Sequence, residues 1–399
     1  MDEIKMTEYV DRLLRWKDCT DVVKVLIGVR CLDKTLIIDQ YVKRLKDDGI
    51  DPGDILRINL GLGGLEAKNH NELDSHIHGK IPRDRRTYVF IENIGAVKGW
   101  ELTVSSLMAD YDADIYISGS DVHFLSTEYS AYMTGKYVEL KVYPSSFGEF
   151  LNRYPVTQEK DRSARFMQYL HTGGMLLTDP DMDDNHNHGM EEGTYYSAVV
   201  SGIIPWVKVG KYKALNSVAK YLFENVGNVI KADDIVRETE LNKRTVVKYL
   251  QALTGAFLFY RADRYDILSK KTLQIHGKYY PVDTGMRLAL PPYGGPLNVQ
   301  KQLENAVFME LLRRGYTVKT GYLRGKEIGF VAEKDGSTEY YRVCLSLLSD
   351  SVFEDEIRSL KAVDDNYPKT VLSMDASARN LPDGLIHRNA IEWILDTKH

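Results

Sequence analysis

Residues 22–35 read VVKVLIGVRCLDKT, and this stretch decides the fold of the first part of the chain. The run up to Ile27 is apolar and predicts a buried strand, which Gly28 ends with a turn. Lys34 and Thr35 follow, and the residues after them have the apolar spacing of a helix. Strand, loop, Lys-Thr and helix in this order are typical of a phosphate-binding loop with the pattern GxxxxGK[ST].

The loop chemistry predicts a nucleotide site with one unusual position. In such loops backbone N–H groups and a helix N-terminus face the phosphates, Lys neutralises them and Thr holds Mg²⁺. Asp33 stands where the pattern has its second glycine. Its Cβ is expected to hinder close backbone approach and a glycine-like conformation. Its carboxylate is expected to repel a triphosphate by about 4 kcal/mol per charge pair at ~4 Å and effective ε ~20.

The composition indicates a globular protein of several domains. The 399 residues are 43% hydrophobic and 27% charged, and the net charge of −5 argues against a polycation that coats nucleic acid. Three scattered cysteines without a CxxC motif predict neither a disulfide framework nor a zinc cluster. No apolar run approaches the ~18 residues of a membrane span. The first residues lack a signal core, so we expect a cytoplasmic protein without membrane contact.

Further apolar segments predict the rest of a sheet. They are residues 55–60 (ILRINL), 87–94 (TYVFIENI), 114–120 (DIYISGS) and 137–143 (YVELKVY). Because these segments alternate with helical ones, they favour a parallel, doubly wound α/β sheet. Ligands of such sheets bind at the carboxyl ends of the strands, so the loops after Ile27, Ile91 and Ile117 are expected to share one edge.

With these motifs, residues 1–155 resemble the AAA-type P-loop domain of a large prokaryotic family of predicted ATPases. The segments that carry the resemblance are the loop itself, Phe90–Ile94 (FIENI), Ser118–Asp121 (SGSD), Thr134–Tyr137 (TGKY) and Pro144–Phe150 (PSSFGEF). The resemblance continues to the C-terminus. It implies ATP and Mg²⁺ as ligands, and an oligomer is possible.

The resemblance also implies site residues. Nucleotide contacts fall to Gly28, Arg30, Asp33, Lys34, Thr35, Ser120 and Asp121, and the metal ligands are Thr35 and Glu92. Asn93 stands at the general-base position, where an amide cannot take a proton, so we expect hydrolysis to be slower by ~10²–10⁴-fold. Lys136 stands at the position of a trans-acting arginine finger and lacks the bidentate fork of arginine.

Residues 156–213 are predicted to form a lid and a linker. Within them, Asp179–Gly189 (DPDMDDNHNHG) is dense in carboxylate and imidazole groups. Such a segment is either a solvated loop or a site for a divalent ion.

Residues 214–275 are predicted to form a winged helix-turn-helix. Helices at 214–226, 231–239 and 243–253 precede strands at 256–261 and 271–275, with residues 262–270 between the strands. In DNA-binding examples the third helix enters the major groove, so Lys243, Arg244 and Lys248 could contact DNA. The alternative is an intramolecular docking module with a solvated basic face.

Residues 276–399 resemble the restriction-endonuclease-like core at the C-terminus of these ATPases. In active nucleases of that fold, carboxylates on a helix and two strands bind Mg²⁺. Here Glu304 is present, but Gly329 replaces the strand Asp and Arg342 stands near a Glu or Gln position. Glu327 is an alternative ligand. We therefore expect a vestigial nuclease site.

Three hypotheses follow from these patterns. The first is an ATPase that couples turnover to motion of its C-terminal modules. The second is a catalytically impaired relative that acts as a scaffold or DNA-binding protein. The third, a DNA nuclease, is disfavoured by Gly329. Asp33 and Asn93 favour the second hypothesis, and Lys34 with Thr35 keeps the first.

Overall fold

The computed structural model describes residues 7–30, 33–61, 64–67, 69–120, 135–158, 161–204, 212–291, 297–377, 379–382 and 384–396. The chain forms two compact units. The first consists of Met1–Tyr143, Ser197–Lys208 and Gly255–Phe257, and the second of Pro144–Tyr196, Val209–Thr254 and Leu258–His399. The four-part division predicted from the sequence is finer than this and stays a prediction.

The helices follow one another along both units. In chain order they are α1 (Thr7–Leu14), α2 (Asp33–Asp47), α3 (His70–His78), α4 (Trp100–Asp110), α5 (Phe147–Arg153), α6 (Asp161–Thr172), α7 (Asp184–Gly202), α8 (Tyr212–Glu224), α9 (Ala232–Thr239), α10 (Lys243–Gly255), α11 (Val299–Arg313), α12 (Asp350–Lys361) and α13 (Ala390–Leu395). Among the helices of the described ranges, none has the length and apolar character needed to cross a bilayer.

The strands divide between two sheets. In chain order they are β1 (Val23–Ile27), β2 (Ile55–Asn59), β3 (Thr87–Glu92), β4 (Ala113–Gly119), β5 (Tyr137–Lys141), β6 (Val229–Ile230), β7 (Phe259–Asp266), β8 (Lys271–Pro281), β9 (Thr317–Leu323), β10 (Lys326–Lys334), β11 (Ser337–Val343), β12 (Lys369–Ser373) and β13 (Leu385–Asn389). Strands β1–β5 belong to the first unit and β6–β13 to the second.

The first sheet is parallel throughout and has the order β2-β3-β4-β1-β5. Every residue of β1, β3 and β4 is buried, as expected for parallel strands covered on both faces. Leu73 of α3 and Val104 of α4 belong to the same apolar core as Val25 and Ile117 of the strands. The predicted parallel α/β sheet is therefore confirmed.

The second sheet is mixed and has the order β13-β12-β11-β10-β9-β7-β8-β6. Strand β10 is antiparallel to both of its neighbours, β9 and β11, whereas β12 runs parallel to β11 and to β13. The hairpin β7–β8 joins this sheet because β7 pairs in parallel with β9. One continuous sheet thus spans the segments predicted as a winged helix and as a nuclease-like domain.

The predicted loop at residues 262–270 is wrong in its first half. β7 continues to Asp266, and β8 continues to Pro281 instead of ending at residue 275. Charged residues such as Arg264 interrupt the apolar–polar alternation that indicates a strand, so the sequence pattern predicts that the strand ends before them. The ladder continues regardless, because Arg264 pairs with Leu273 on one side and with Thr320 on the other.

The acidic segment before α7 is not a loop along its whole length. α7 begins at Asp184, and the Asp183 carboxylate accepts a hydrogen bond from the backbone N of His186 at 2.8 Å, as an N-cap does. Asn187 donates to the carbonyl of Asp179 at 2.9 Å. Within the described part of the chain, no three His, Cys, Asp or Glu side chains are grouped to hold a metal, which contradicts the ion-site alternative.

A buried ion pair lies between β1 and β4. Lys24 and Asp114 are both fully buried, and the ammonium group contacts the carboxylate directly. The Lys24 ammonium also donates to the carbonyl of Cys19 at 2.6 Å, and the Asp114 carboxylate accepts from the Tyr116 hydroxyl at 2.9 Å and the backbone N of Asp18 at 2.8 Å. The pair is satisfied only as a whole, because either charge alone would be buried without its counter-charge.

We expect Lys24→Met to destabilise the protein by about 3–5 kcal/mol, because it leaves Asp114 as an uncompensated buried charge. Chemical denaturation of the two proteins measures the difference. Arg44→Gln is the control, since it breaks an exposed pair with Asp48 and is expected to cost under about 1 kcal/mol. Equal effects of the two substitutions would contradict the prediction.

Candidate functional site

The loop after β1 starts at a point where two backbones nearly touch. A Cβ built on Gly28 would lie 2.2 Å from the carbonyl oxygen of Val142, so only glycine fits there. The backbone N of Val142 donates to the carbonyl of Ile27 at 2.7 Å. The entrance of the loop is therefore fixed against the segment that follows β5.

Helix α2 begins at Asp33, three residues earlier than predicted, so Lys34 and Thr35 lie in its first turn. The unpaired N–H groups of a helix start favour an anion. A helical backbone is accessible to any L-residue, so Asp33 can occupy the start of α2. The expected hindrance of its Cβ to close backbone approach by a ligand stays a prediction. The expected repulsion between the Asp33 carboxylate and a triphosphate also stays a prediction.

The Lys34 side chain is buried against the loop. Its ammonium group donates to the carbonyls of Gly28 at 3.2 Å and Val29 at 2.5 Å. The charge is thus held inside the curve of the loop, where a phosphate would be a stronger partner than carbonyl oxygens.

The fully buried carboxylate of Glu92 joins three elements at the end of β3. Its Oε2 accepts a hydrogen bond from the Thr35 hydroxyl at 2.7 Å, and its Oε1 accepts from Arg57 Nε at 2.7 Å. The Arg57 guanidinium also contacts the carboxylate of Asp39, one turn beyond Thr35 on α2. We call Thr35, Asp39, Arg57 and Glu92 the Glu92 cluster.

Arg57 and Asp39 were not predicted as site residues. Burial alone would lower the pKa of Arg57, but its hydrogen bonds to Glu92 and Asp39 outweigh burial and raise the pKa. A sequence signal did exist: Arg57 and Asn59 are polar residues at alternate positions of an otherwise apolar strand. That pattern places both on one face of β2, although it does not reveal their partners.

Asn93 follows Glu92 in a left-handed conformation with φ 57°, which asparagine tolerates better than most residues. Its side-chain amide donates to Asn59 Oδ1 at 3.1 Å, and its own Oδ1 accepts from Arg30 Nη1 at 3.5 Å. The structure therefore brings Arg30 next to Asn93, the predicted general-base position. The side chain at that position is a neutral amide.

The remaining predicted residues of the first unit are distributed differently. Ser120 is buried directly after β4, at the loop edge of the sheet. Asp121 lies outside the described residues. Lys136 is exposed and directly precedes β5. Because β5 runs parallel to β1, Lys136 lies where the strands start, whereas Gly28 lies at the opposite end, where β1 finishes.

The predicted vestigial nuclease residues meet in one cavity of about 480 Å³ in the second unit. Glu304 comes from α11, Glu327 and Gly329 from β10, and Arg342 from β11. Lys278 of β8 also lines the cavity, and the sequence analysis missed it.

Cations of the chain itself pair with the carboxylates of this cavity. Lys278 Nζ lies 3.0 Å from Glu304 Oε1 and 2.6 Å from Glu327 Oε1, and Arg342 contacts Glu356. Burial would raise the pKa of Glu304, but Lys278 and Lys301 hold it below its ordinary value. Burial likewise opposes the charge of Lys278, but the two glutamates raise its pKa. The mutual contacts of Glu304 and Lys278 therefore favour the charged form of both side chains.

The backbone at position 329, where a lost ligand was predicted, requires glycine. Its φ is +126°, beside a register shift in the pairing of β10 with β9. A Cβ at this position would lie 2.4 Å from the carbonyl oxygen of Tyr341. An aspartate therefore cannot occupy position 329 without movement of β10 or β11.

The basic residues predicted on the third helix of the winged-helix segment are exposed. Lys243, Arg244 and Lys248 lie on the outer face of α10, together with Val247. Lys243 pairs with Asp233 at 2.9 Å, and both side chains are more than half exposed, so the pair is weak. These residues form the basic face of α10.

Comparison with known families agrees with the first sheet. A family model described as an AAA domain matches residues 20–151. A second model, described as a domain of unknown function (DUF8612), matches residues 164–302. The AAA match covers the loop after β1 and all five strands of the parallel sheet.

Two relatives span most of the chain. An uncharacterized protein of Haemophilus influenzae is 32% identical over 404 residues, which covers 98% of each chain. The uncharacterized protein MJ1544 of Methanocaldococcus jannaschii is 26% identical over 385 residues, or 90% of this chain and 83% of that one. Among solved structures, one of Thermotoga maritima RuvB aligns with 65% of this chain and 90% of its own at 12% identity, with a TM-score of 0.33. The chain therefore belongs to the same family as the Haemophilus influenzae protein, and its first unit contains an AAA-family P-loop ATPase-like domain.

Proposed function

We propose that this protein binds ATP at the loop after β1 and hydrolyses it slowly. One observation carries the proposal: Lys34 and Thr35 lie in the first turn of α2, and the Thr35 hydroxyl is hydrogen-bonded to Glu92 at the end of β3. A buried ammonium group and a helix N-terminus would face the phosphates of the nucleotide. AAA domains commonly bind ATP, and the residues around this loop fit a polyphosphate.

The fit to Mg²⁺ is poorer than the fit to ATP. Thr35 and Glu92 are the residues that resemblance assigns to the ion. Both carboxylate oxygens of Glu92 already accept hydrogen bonds, one from Thr35 and one from the positively charged Arg57. A divalent cation beside Glu92 would meet the charge of Arg57, so the donor set does not match an open metal site.

Slow hydrolysis follows from the residue at the general-base position. The amide of Asn93 cannot accept a proton from an attacking water, and it is engaged with Asn59 and Arg30. Lys136 lies at the far edge of the sheet and lacks the fork of arginine, so it would not compensate within one chain.

A second candidate function is DNA contact by the second unit, favoured by the basic face of α10. We propose that α8–α10 and the hairpin β7–β8 form a winged helix, since three helices precede the hairpin and the short β6 pairs with β8. In that arrangement α10 is the helix that enters the major groove. Lys243, Arg244 and Lys248 would contact phosphates.

We also propose that the C-terminal segment is a restriction-endonuclease-like fold without nuclease activity. The order of α11, β9, β10, β11, α12 and β12 supports the fold. The internal ion pairs of Glu304, Glu327 and Glu356 argue against the activity, because those carboxylates already have cations as partners.

Calorimetric titration with ATP tests the first proposal. We expect Lys34→Ala to abolish binding, because it removes the buried ammonium group. Lys46→Ala is the matched control: it removes the same charge from the exposed far end of α2, about 18 Å along the helix, and should leave affinity unchanged. Asp33→Gly should bind more tightly, by up to ~1,000-fold, if charge repulsion is relieved.

Turnover is measured in the same preparations and should stay near background for the unmodified protein. ATP hydrolysis on the order of 1 s⁻¹ that Lys34→Ala abolishes would contradict the slow-hydrolysis proposal, since ordinary enzymes reach that rate. Equal ATP affinities of the unmodified protein, Lys34→Ala and Asp33→Gly would contradict the site itself.

A DNA duplex shift at several salt concentrations tests the second candidate. Replacing Lys243, Arg244 and Lys248 with Gln should weaken binding, and the slope of log K against log salt should fall by about 0.9 for each lost phosphate contact. The matched control replaces three exposed basic residues elsewhere, Lys220, Arg358 and Lys361. If both triple variants bind DNA alike, the basic face of α10 is not the contact surface.

Restoring the strand aspartate tests the lost nuclease site. We expect Gly329→Asp to lower Tm by about 5 °C or more, since backbone strain and displacement of β11 cost a few kcal/mol, and not to create Mn²⁺ binding. Gly189→Asp is the control, because a Cβ at this exposed helical glycine meets no neighbouring atom. Mn²⁺ uptake by Gly329→Asp at an unchanged Tm would refute this interpretation.

A further inference from the structure

We propose that Arg57 takes the place of the divalent cation at the nucleotide site, so that the ligand is a nucleoside polyphosphate without bound metal. This inference rests on the proposed function, because it concerns the same loop. It goes further in naming the ionic form of the ligand and a positioning residue. Its basis is the geometry of the Glu92 cluster.

The carboxylate that would hold an ion already has a positive partner. Glu92 is fully buried, and a buried carboxylate needs a positive partner. Arg57 supplies that partner through Nε at 2.7 Å from Oε1. The charge balance that a metal would bring is thus already met by a side chain of the same unit.

Two carboxylates hold the Arg57 side chain in place. Its guanidinium is anchored on both sides, by Glu92 at the end of β3 and by Asp39 on α2. Asp39 lies one turn after Thr35, so the two contacts hold the guanidinium beside the first turn of the helix. This position is next to the hydroxyl of Thr35, which also bonds to Glu92.

The Arg57 side chain is accessible to a ligand. The Arg57 side chain is 34% exposed, in contrast to the buried carboxylate beneath it. A guanidinium has more N–H donors than these contacts use, and its planar fork suits phosphate oxygens. Arg57 is therefore accessible to a phosphate bound at the first turn of α2, where Lys34 also lies.

Arg57 could instead be a purely structural link between β2 and α2. The two roles predict different responses to metal. A structural link affects Tm alone, whereas a replacement for the ion also makes nucleotide binding independent of Mg²⁺. Removal of Arg57 then frees a Glu92 oxygen, and binding becomes dependent on Mg²⁺.

The experiment compares the affinity for ATP in EDTA and in Mg²⁺. We expect the unmodified protein to bind with affinities that agree within about threefold in the two buffers. Arg57→Gln should bind at least about tenfold more weakly in EDTA and should recover affinity when Mg²⁺ is added. Arg57→Lys keeps the charge and should retain metal-free binding in part. Arg44→Gln, on the exposed face of α2, is the control and should behave as the unmodified protein.

The outcomes separate the two proposals. Binding by the unmodified protein that needs Mg²⁺ by tenfold or more overturns the inference and leaves the proposed function intact. No binding in either buffer removes both. If Arg57→Gln lowers Tm but keeps the same affinity in EDTA and in Mg²⁺, Arg57 is a structural link and the inference is wrong. If Arg57→Gln does not fold, the metal dependence of the unmodified protein and of Arg57→Lys decides.

Discussion

A fully buried carboxylate at the end of β3 imposes the strongest constraint on the proposed nucleotide site. A buried carboxylate needs a positive partner and hydrogen-bond donors, and the chain supplies Arg57 from β2 and the Thr35 hydroxyl from α2. The same bonds position the first turn of α2, because Thr35 is one of the partners. Lys34 contacts the carbonyl of Val29 in the loop after β1, while α2 remains tied to this carboxylate through Thr35.

The second unit repeats this solution in a different fold. There the carboxylates of Glu304 and Glu327 share the ammonium group of Lys278, which comes from the hairpin. In both units, acidic residues that resemblance assigns to metal binding are instead paired with a cation of the chain. These ion pairs lie in the cavity of the second unit and in the Glu92 cluster. Their charges are balanced by the chain itself, without an ion from solution.

The sequence was sufficient where neighbouring residues determine the structure. Apolar runs predicted β1, β3 and β4, and the spacing of Gly28, Lys34 and Thr35 predicted the loop, because both signals are local. The sequence did not reveal Arg57, which meets Glu92 across 35 positions, or Lys278, which meets Glu304 across 26. Such contacts depend on strand order and register, which periodicity does not encode. Gly329 similarly looked like a lost ligand, although its φ of +126° requires glycine for the backbone alone.

The parallel pairing of β7 with β9 has a consequence for how this chain can be divided. β7 is an interior strand with neighbours on both edges, so the hairpin and the C-terminal strands complete each other's hydrogen bonds. A fragment that stopped before β9 would carry an open, unpaired edge along β7, which is the kind of surface that recruits other chains. The hairpin and the strands after it are therefore parts of one hydrogen-bonded sheet, and a cut between them would expose the backbone of β7 where it pairs with β9, at Arg264–Asp266.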